Sequence, residues 1–151
     1  MPSKPWKLQK PLFRGDSASS VSRPNPEAPK NIVRHIMYYE GAGRETPYLS
    51  TSEQEDLARH FAGRSGVVWQ TTVTQARAHK VTHISKTELM ALLDGKGKGR
   101  ATWPSALIVA QARRYVEQWA EHLLDFSDLD GGSNLEQAVS AIFAPPKGRK
   151  P

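Results

Sequence analysis

Hydrophobic and polar positions alternate between two periods along this chain, and the switches between them mark the elements. Leu12-Phe13-Arg14-Gly15-Asp16 is a short apolar stretch ending in Gly-Asp, which predicts a strand running into a turn. Residues 17–29, rich in Ser and Asn with prolines at 24, 26 and 29, predict a loop. Ile32, His35, Ile36 and Tyr39 recur at i, i+3, i+4 and i+7, which predicts a two-turn helix over 31–39, with a strand as the alternative. Tyr48-Leu49-Ser50-Thr51-Ser52 predicts a short extended segment feeding a helix. Ser52 and Glu55 read as that helix's capping box, Leu57, Ala58, Phe61 and Ala62 as its apolar stripe, and Gly63 as its stop.

Residues 66–73 (GVVWQTTV) are rich in β-branched side chains and predict the clearest strand. Ser85 and Glu88 form a second capping box, opening a helix that carries Leu89, Leu92 and Leu93 and stops at Gly95. Pro104 starts the longest helix, with Ile108, Ala112, Tyr115, Val116 and Trp119 at helical spacing. Glu121 to Phe126 reads as a strand leaving that helix, and Ser133 with Glu136 caps a last helix reaching Phe143. Helices mixed with short strands in this order predict an α+β domain. The boundaries expected are an N-terminal arm over 1–10, one domain over 11–143 and a C-terminal tail over 144–151.

Composition narrows the chemistry. The chain has 151 residues, enough for one domain with a real core. It has no cysteine, which excludes disulfide scaffolds, thiol nucleophiles and Cys-ligated metals. No apolar run approaches the roughly 20 residues of a membrane span, and the first 30 residues lack the apolar core of a signal peptide. The expectation is a soluble, cytoplasmic protein without membrane association. The net charge of +6 is unevenly placed: residues 1–35 carry +5, residues 147–151 carry +3, and the body between them carries −2. The basic excess thus belongs to the ends, where it suits a polyanionic partner without defining a binding face.

Three features then follow in order: Arg14-Gly15 on the first strand, Ser50-Thr51-Ser52 before a capped helix, and Glu121 opening a late strand. Thirty-six residues separate Arg14 from Ser50, and 69 separate Ser52 from Glu121. This succession resembles the mono-ADP-ribosyltransferases of the Arg–Ser-Thr-Ser–Glu type, whose members move ADP-ribose from NAD to a macromolecule and include many toxins. The resemblance covers about residues 10–126, and its strongest part is the run from Arg44 through Ser50-Thr51-Ser52-Glu53 into a helix ending Phe61-Ala62.

The resemblance implies a split β-sheet core of ADP-ribosyltransferase type with flanking helices. It also implies NAD as co-substrate with no metal, and a catalytic set of Arg14, Ser50 and Glu121. Arg14, Gly15, Tyr48, Ser50, Thr51, Ser52 and Phe61 would form the NAD site, with Tyr48 and Phe61 bounding the nicotinamide. Many members carry Glu or Gln two residues before the catalytic glutamate; here that residue is Trp119, so an arginine acceptor is not implied. A shifted register would put Glu117 in place of Glu121. The partners implied are NAD, a protein, RNA or DNA acceptor, and an antitoxin or immunity protein if the activity is toxic.

Physical chemistry stands beside this. A guanidinium binds two oxygens of a pyrophosphate in fork geometry. A carboxylate stabilises positive charge developing on the ribose as the bond to nicotinamide breaks, and hydroxyls hold that carboxylate without adding charge.

Other readings compete. An NAD glycohydrolase would use the same residues with water as acceptor. A non-catalytic nucleic-acid-binding module would make Ser50-Thr51-Ser52 a mere cap and rely on the basic ends and the Gly95–Arg100 loop (GKGKGR). That loop lacks the terminal Gly-Lys-Ser/Thr of a phosphate-cradling P-loop. His35 with Tyr38 offers a second site assignment, of the diphtheria-toxin-like His–Tyr–Glu type, which leaves Ser50-Thr51-Ser52 without a role. His79 and His83, four apart, are spaced for one helix face but have no third ligand set by spacing.

Overall fold

A computed structural model describes residues 6–28, 30, 32–37, 46–93, 106–129 and 133–144. Among the described residues five strands and six helices follow in the order β1 (Leu12–Ser17), α1 (Ile32–Met37), β2 (Tyr48–Ser52), α2 (Glu55–Ala62), β3 (Gly66–Thr71), α3 (Val73–Ala78), β4 (Thr82–Ile84), α4 (Lys86–Leu92), α5 (Ala106–Gln118), β5 (Glu121–Asp125) and α6 (Ser133–Ile142). This is a single small α+β domain. Among the described residues no helix is long and apolar enough to cross a membrane.

All strand pairs are antiparallel, and the sheet order is β3-β1-β2-β5-β4. Pairing is uneven across it. β1 and β3 share six register pairs and β2 and β5 share five, whereas β1 meets β2 only at Phe13↔Ser52. The strands therefore form one sheet with a narrow junction between a β3-β1 half and a β2-β5-β4 half.

Helices cover both faces. Because side chains alternate along a strand, Tyr48 and Leu123 point to one face, where they pack with Val33 and Ile36 of α1, Leu89 of α4 and Val109, Ala112 and Val116 of α5. Leu49 and Leu124 point to the other, with Ala76 of α3 and Leu135, Val139 and Ile142 of α6. β5 is buried along its whole length, as a central strand covered on both faces must be.

α2 lies almost on the backbone of the β3-β1 half. A Cβ at Gly15 would fall 2.0 Å from the Ala58 carbonyl oxygen, and one at Gly66 2.1 Å from that of Ala62. Only glycine permits so close an approach of helix to strand.

Several local expectations change. α2 has Gln54 at its N-cap, with no side-chain capping bond; Ser52 ends β2 and spends its hydroxyl elsewhere. β3 stops at Thr71, because Thr72 Oγ1 accepts the Gln75 N–H and caps α3, burying Val73 and Ala76. Position 79 then caps α3 while His83 lies on β4, so the two histidines do not share a helix face. The Ser85–Glu88 capping box forms as expected. On α5 the buried line is Val109, Ala112 and Val116, and Tyr115 is exposed. Phe61 leaves the α2 stripe and is 49% exposed.

Residues 6–10 do not extend as an arm: the Leu8 carbonyl accepts the Thr74 N–H, and Trp6 packs on His122. Ala144, expected to begin the tail, bridges to Gln70. The Gly95–Arg100 loop, Tyr38, Pro104 and residues 145–151 lie outside the described residues.

Candidate active site

The narrow junction between the sheet halves is where the sequence-predicted residues meet. Arg14, in the middle of β1, reaches β2 and donates from Nη1 to the Ser50 carbonyl at 2.9 Å. Its Nε donates to Asp16 Oδ2 at 2.9 Å, two residues along the same strand. Ser50 and Glu121 share one face of the β2-β5 pair, since Ser50 registers with Leu123 and Ser52 with Glu121. The Ser50 hydroxyl crosses diagonally and donates to Glu121 Oε2 at 2.6 Å.

A tight corner sets Glu121 in place. α5 ends at Gln118, and only Trp119 and Ala120 precede β5. Ala120 takes the left-handed conformation, φ 48°, unusual for a residue with a Cβ. The corner is pinned to β2: the Ala120 carbonyl accepts the Glu53 N–H at 3.0 Å, and the Ser52 hydroxyl donates to the Trp119 carbonyl at 2.7 Å. Glu117 sits exposed on α5 and takes no part.

A histidine completes the cluster. His35, on α1, lies 2.8 Å from Ser50 Oγ through Nε2 and 2.5 Å from Thr46 Oγ1 through Nδ1. The donors can be ordered from the carboxylate end. Ionised Glu121 can only accept, so the Ser50 proton points to it; Ser50 Oγ then accepts from His35 Nε2–H, and His35 Nδ1 accepts from Thr46. This orders four side chains, Thr46, His35, Ser50 and Glu121, into one directed chain. Tyr48 packs edge-on to the His35 ring, 5.5 Å between centroids.

Burial governs the electrostatics. Glu121 is 8% exposed, and burial pushes its carboxyl up to about 7, against the pull of the Ser50 hydrogen bond and the Arg14 charge. Burial likewise pushes His35 down to about 3, helped by Arg14, so the imidazole is neutral and keeps the donor order above. Burial lowers Arg14 from its ordinary value while Asp16 and Glu121 oppose the shift. Asp16 is held below the usual carboxylate range: burial raises it, but Arg14 and the Ser17 and Ser22 N–H donors outweigh burial. Tyr48 is pushed up to about 12 by burial and the Asp125 charge.

Arg14, Ser50 and Glu121 thus converge, with Tyr48 one ring away. The remaining residues expected to bind NAD do not join them. Gly15 is sealed under α2, so its role is close packing. The Thr51 hydroxyl donates to the His122 carbonyl on the opposite face of the strand pair, and Ser52 holds the Trp119 corner; both fix β2 against β5. Phe61 stacks edge-on to Trp119, 4.6 Å between centroids, and His60 lies flat on the same indole at 5.4 Å.

His35 escaped sequence reasoning as a partner of Ser50, because its partners lie 11 and 15 residues away with no local pattern to tie them. The Arg14 side chain is 17% exposed, and the cavities of about 370 and 520 Å³ are lined by other residues.

No family model, curated protein or solved structure matches this chain. The fold and the site define an α+β domain with a buried Arg–His–Ser–Glu cluster at a junction within its sheet.

Proposed function

We propose that this chain is an NAD-dependent ADP-ribosyltransferase with a split-sheet core of that type, and that the Arg14–Ser50–Glu121 cluster is its active site. The observation that carries the reading is the Ser50 hydroxyl held against a buried glutamate, beside an arginine from a neighbouring strand, in the order the sequence resemblance implies. The side chains suit the substrate. Arg14 Nη2 has no partner among the described residues and is free to take a phosphate oxygen, while Nε and Nη1 fix the guanidinium plane.

Glu121, oriented by Ser50, faces the ribose and offers negative charge where positive charge develops as the glycosidic bond to nicotinamide lengthens. The bond electrons leave with nicotinamide; the acceptor's lone pair forms the new bond to the ribose carbon, and its proton passes to Glu121 or to solvent. His35 touches none of these atoms. It is a positioning residue that turns the Ser50 proton toward Glu121. The acceptor is a macromolecule, and the basic ends of the chain favour a polyanion. In this reading NAD enters by parting of the junction between the sheet halves, which one register pair joins.

The test is incubation of the purified chain with labelled NAD and cell lysate, beside Glu121→Gln with its fold checked by circular dichroism. Label on a macromolecule, lost in the variant, supports transfer. Free ADP-ribose without labelled acceptor selects the glycohydrolase. No NAD consumption by folded protein overturns both.

A further inference from the structure

A second chain of ionisable groups lies outside that cluster. Glu53 follows the end of β2, His122 is the second residue of β5, and His83 is the middle of β4. Glu53 Oε2 lies 2.7 Å from His122 Nε2, and His122 Nδ1 lies 2.8 Å from His83 Nε2, with the two imidazoles stacked 14° from parallel. His122 is 1% exposed and covered by Trp6.

The donor order follows from the carboxylate. Glu53 accepts from His122 Nε2–H, so His122 Nδ1 carries a lone pair and must accept from His83 Nε2–H. His83 Nδ1 is left with a lone pair and no partner among the described residues. His83 lines the cavity of about 370 Å³ together with Arg77, Lys80, Val81, Thr82 and Asp128. Neither Arg77 nor Lys80 has an ion pair among the described residues, and no three His, Asp or Glu groups there converge as a metal site.

We propose that this cavity binds a phosphate oxyanion, with Arg77 and Lys80 as its cationic walls and His83 as a donor that takes up one proton from solvent as the anion enters. The proton goes to Nδ1. The resulting imidazolium has the anion on its cavity side and the Glu53 carboxylate at the far end, with neutral His122 joining them. Two cations without an ion pair among the described residues and an imidazole lining the same cavity match the three-sided donation a phosphate oxyanion needs.

The groups facing His83 set the pH dependence. Burial, His122 and Arg77 disfavour its charge and Glu88 favours it, leaving it at about 4 without a ligand. Lys80 and Asp128 share the cavity, and Lys86 and Glu88 flank His122. His83, neutral without a ligand, gains its proton on binding in this proposal, so affinity for a phosphodiester, whose own charge is constant near neutrality, rises as pH falls by up to about tenfold per pH unit. Asp128 opposes the anion.

The phosphate could be a free or terminal phosphoryl group or a phosphodiester of a nucleic-acid backbone. Calorimetric titration of the full chain with inorganic phosphate, and in parallel with a short single-stranded oligonucleotide, separates the two sources. Buffers of differing ionisation heat, at about pH 6 and pH 7.5, count the protons taken up. The expected result is binding of at least one probe with close to one proton taken up, lost uptake in His83→Gln, roughly tenfold weaker binding in Arg77→Ala and Lys80→Ala, and tighter binding in Asp128→Asn.

Binding of neither probe overturns the proposal, as does binding without proton uptake. Weaker binding in Asp128→Asn, with zinc ion alone bound by the parent chain, also overturns it and makes the cavity a cation site. None of these readouts uses NAD, so they stand or fall apart from the transferase reading.

Discussion

Glu121→Gln should stabilise this protein at alkaline pH while removing the carboxylate proposed to act on NAD. The glutamate titrates near 7 in the folded chain against 4.5 in the unfolded chain, so between those values the native state holds the extra proton. Stability attributable to this residue is full below about pH 4.5, falls as pH rises to 7, and is lost above it. At 1.36 kcal/mol per pH unit, that interval amounts to about 3 kcal/mol, an order-of-magnitude ceiling.

Glutamine has the shape of the protonated acid and keeps an acceptor for the Ser50 hydroxyl, so at pH 4.5 the variant and parent should be near equal. At pH 8 the variant should gain up to about 3 kcal/mol, or roughly 6–12 °C in melting temperature for a chain of this length. Urea unfolding followed by tryptophan fluorescence, at both pH values, measures the difference; every other titrating group is common to the two proteins and cancels. A variant less stable than the parent at pH 8 and equal to it at pH 4.5 would refute the reasoning, because Arg14 and Ser50 would then outweigh burial.

Turnover of NAD should rise with pH through about 7 as Glu121 loses its proton, read by nicotinamide release; a rate already at its plateau at pH 5 counts against Glu121 as the acting carboxylate. Gly15→Ala should cost about 3 kcal/mol in urea unfolding, the upper end of ordinary overpacking, since its Cβ meets the backbone of α2 at Ala58 and Ala62 and no side chain can yield. Ser85→Ala removes the Ser85 Oγ acceptor of the Glu88 N–H, one half of the α4 capping box, and should cost ~1 kcal/mol in thermal melts. Phe13 and Ser52 are the single register pair across the junction, so Phe13→Cys with Ser52→Cys in this cysteine-free chain should form a disulfide that blocks NAD turnover until reduced. Equal turnover in the oxidised and reduced forms would show that the junction need not part.

What the sequence disclosed depended on whether the signal was local. β1, β2, β5 and α4 were legible because a capping pair or a run of apolar residues within a few positions marks each. The same reasoning ran the strand on to Val73 and gave no helix over Val73–Ala78: Thr71, Thr72 and Val73 are all β-branched, but Thr72 caps α3, and Val73 and Ala76 are buried on it. The order Arg14, Ser50, Glu121 pointed to one site, and the side chains do meet. Nothing local ties His35 to Ser50, or Glu53 to His83 through His122; those contacts exist only once β5 lies between β2 and β4. The need for glycine at 15 is equally nonlocal, since it depends on α2 returning over β1.

Both histidine networks are consequences of one register. Glu121 and His122 are consecutive on β5 and so face opposite sides of the sheet: the first meets Ser50 and His35, the second meets Glu53 and His83. A slip of one residue would exchange them, burying a glutamate among Glu53 and Glu88 and turning an imidazole toward Arg14. Beside the five-residue pairing, this chain has three polar pins at the same edge: Thr51 to the His122 carbonyl, Ser52 to the Trp119 carbonyl, and the Glu53 N–H to Ala120. The left-handed Ala120 then forces the chain to enter β5 at Glu121 and at no neighbouring residue. The Ser-Thr-Ser run therefore divides its labour. Ser50 alone touches the buried carboxylate, while Thr51 and Ser52 hold the register that brings the carboxylate to it.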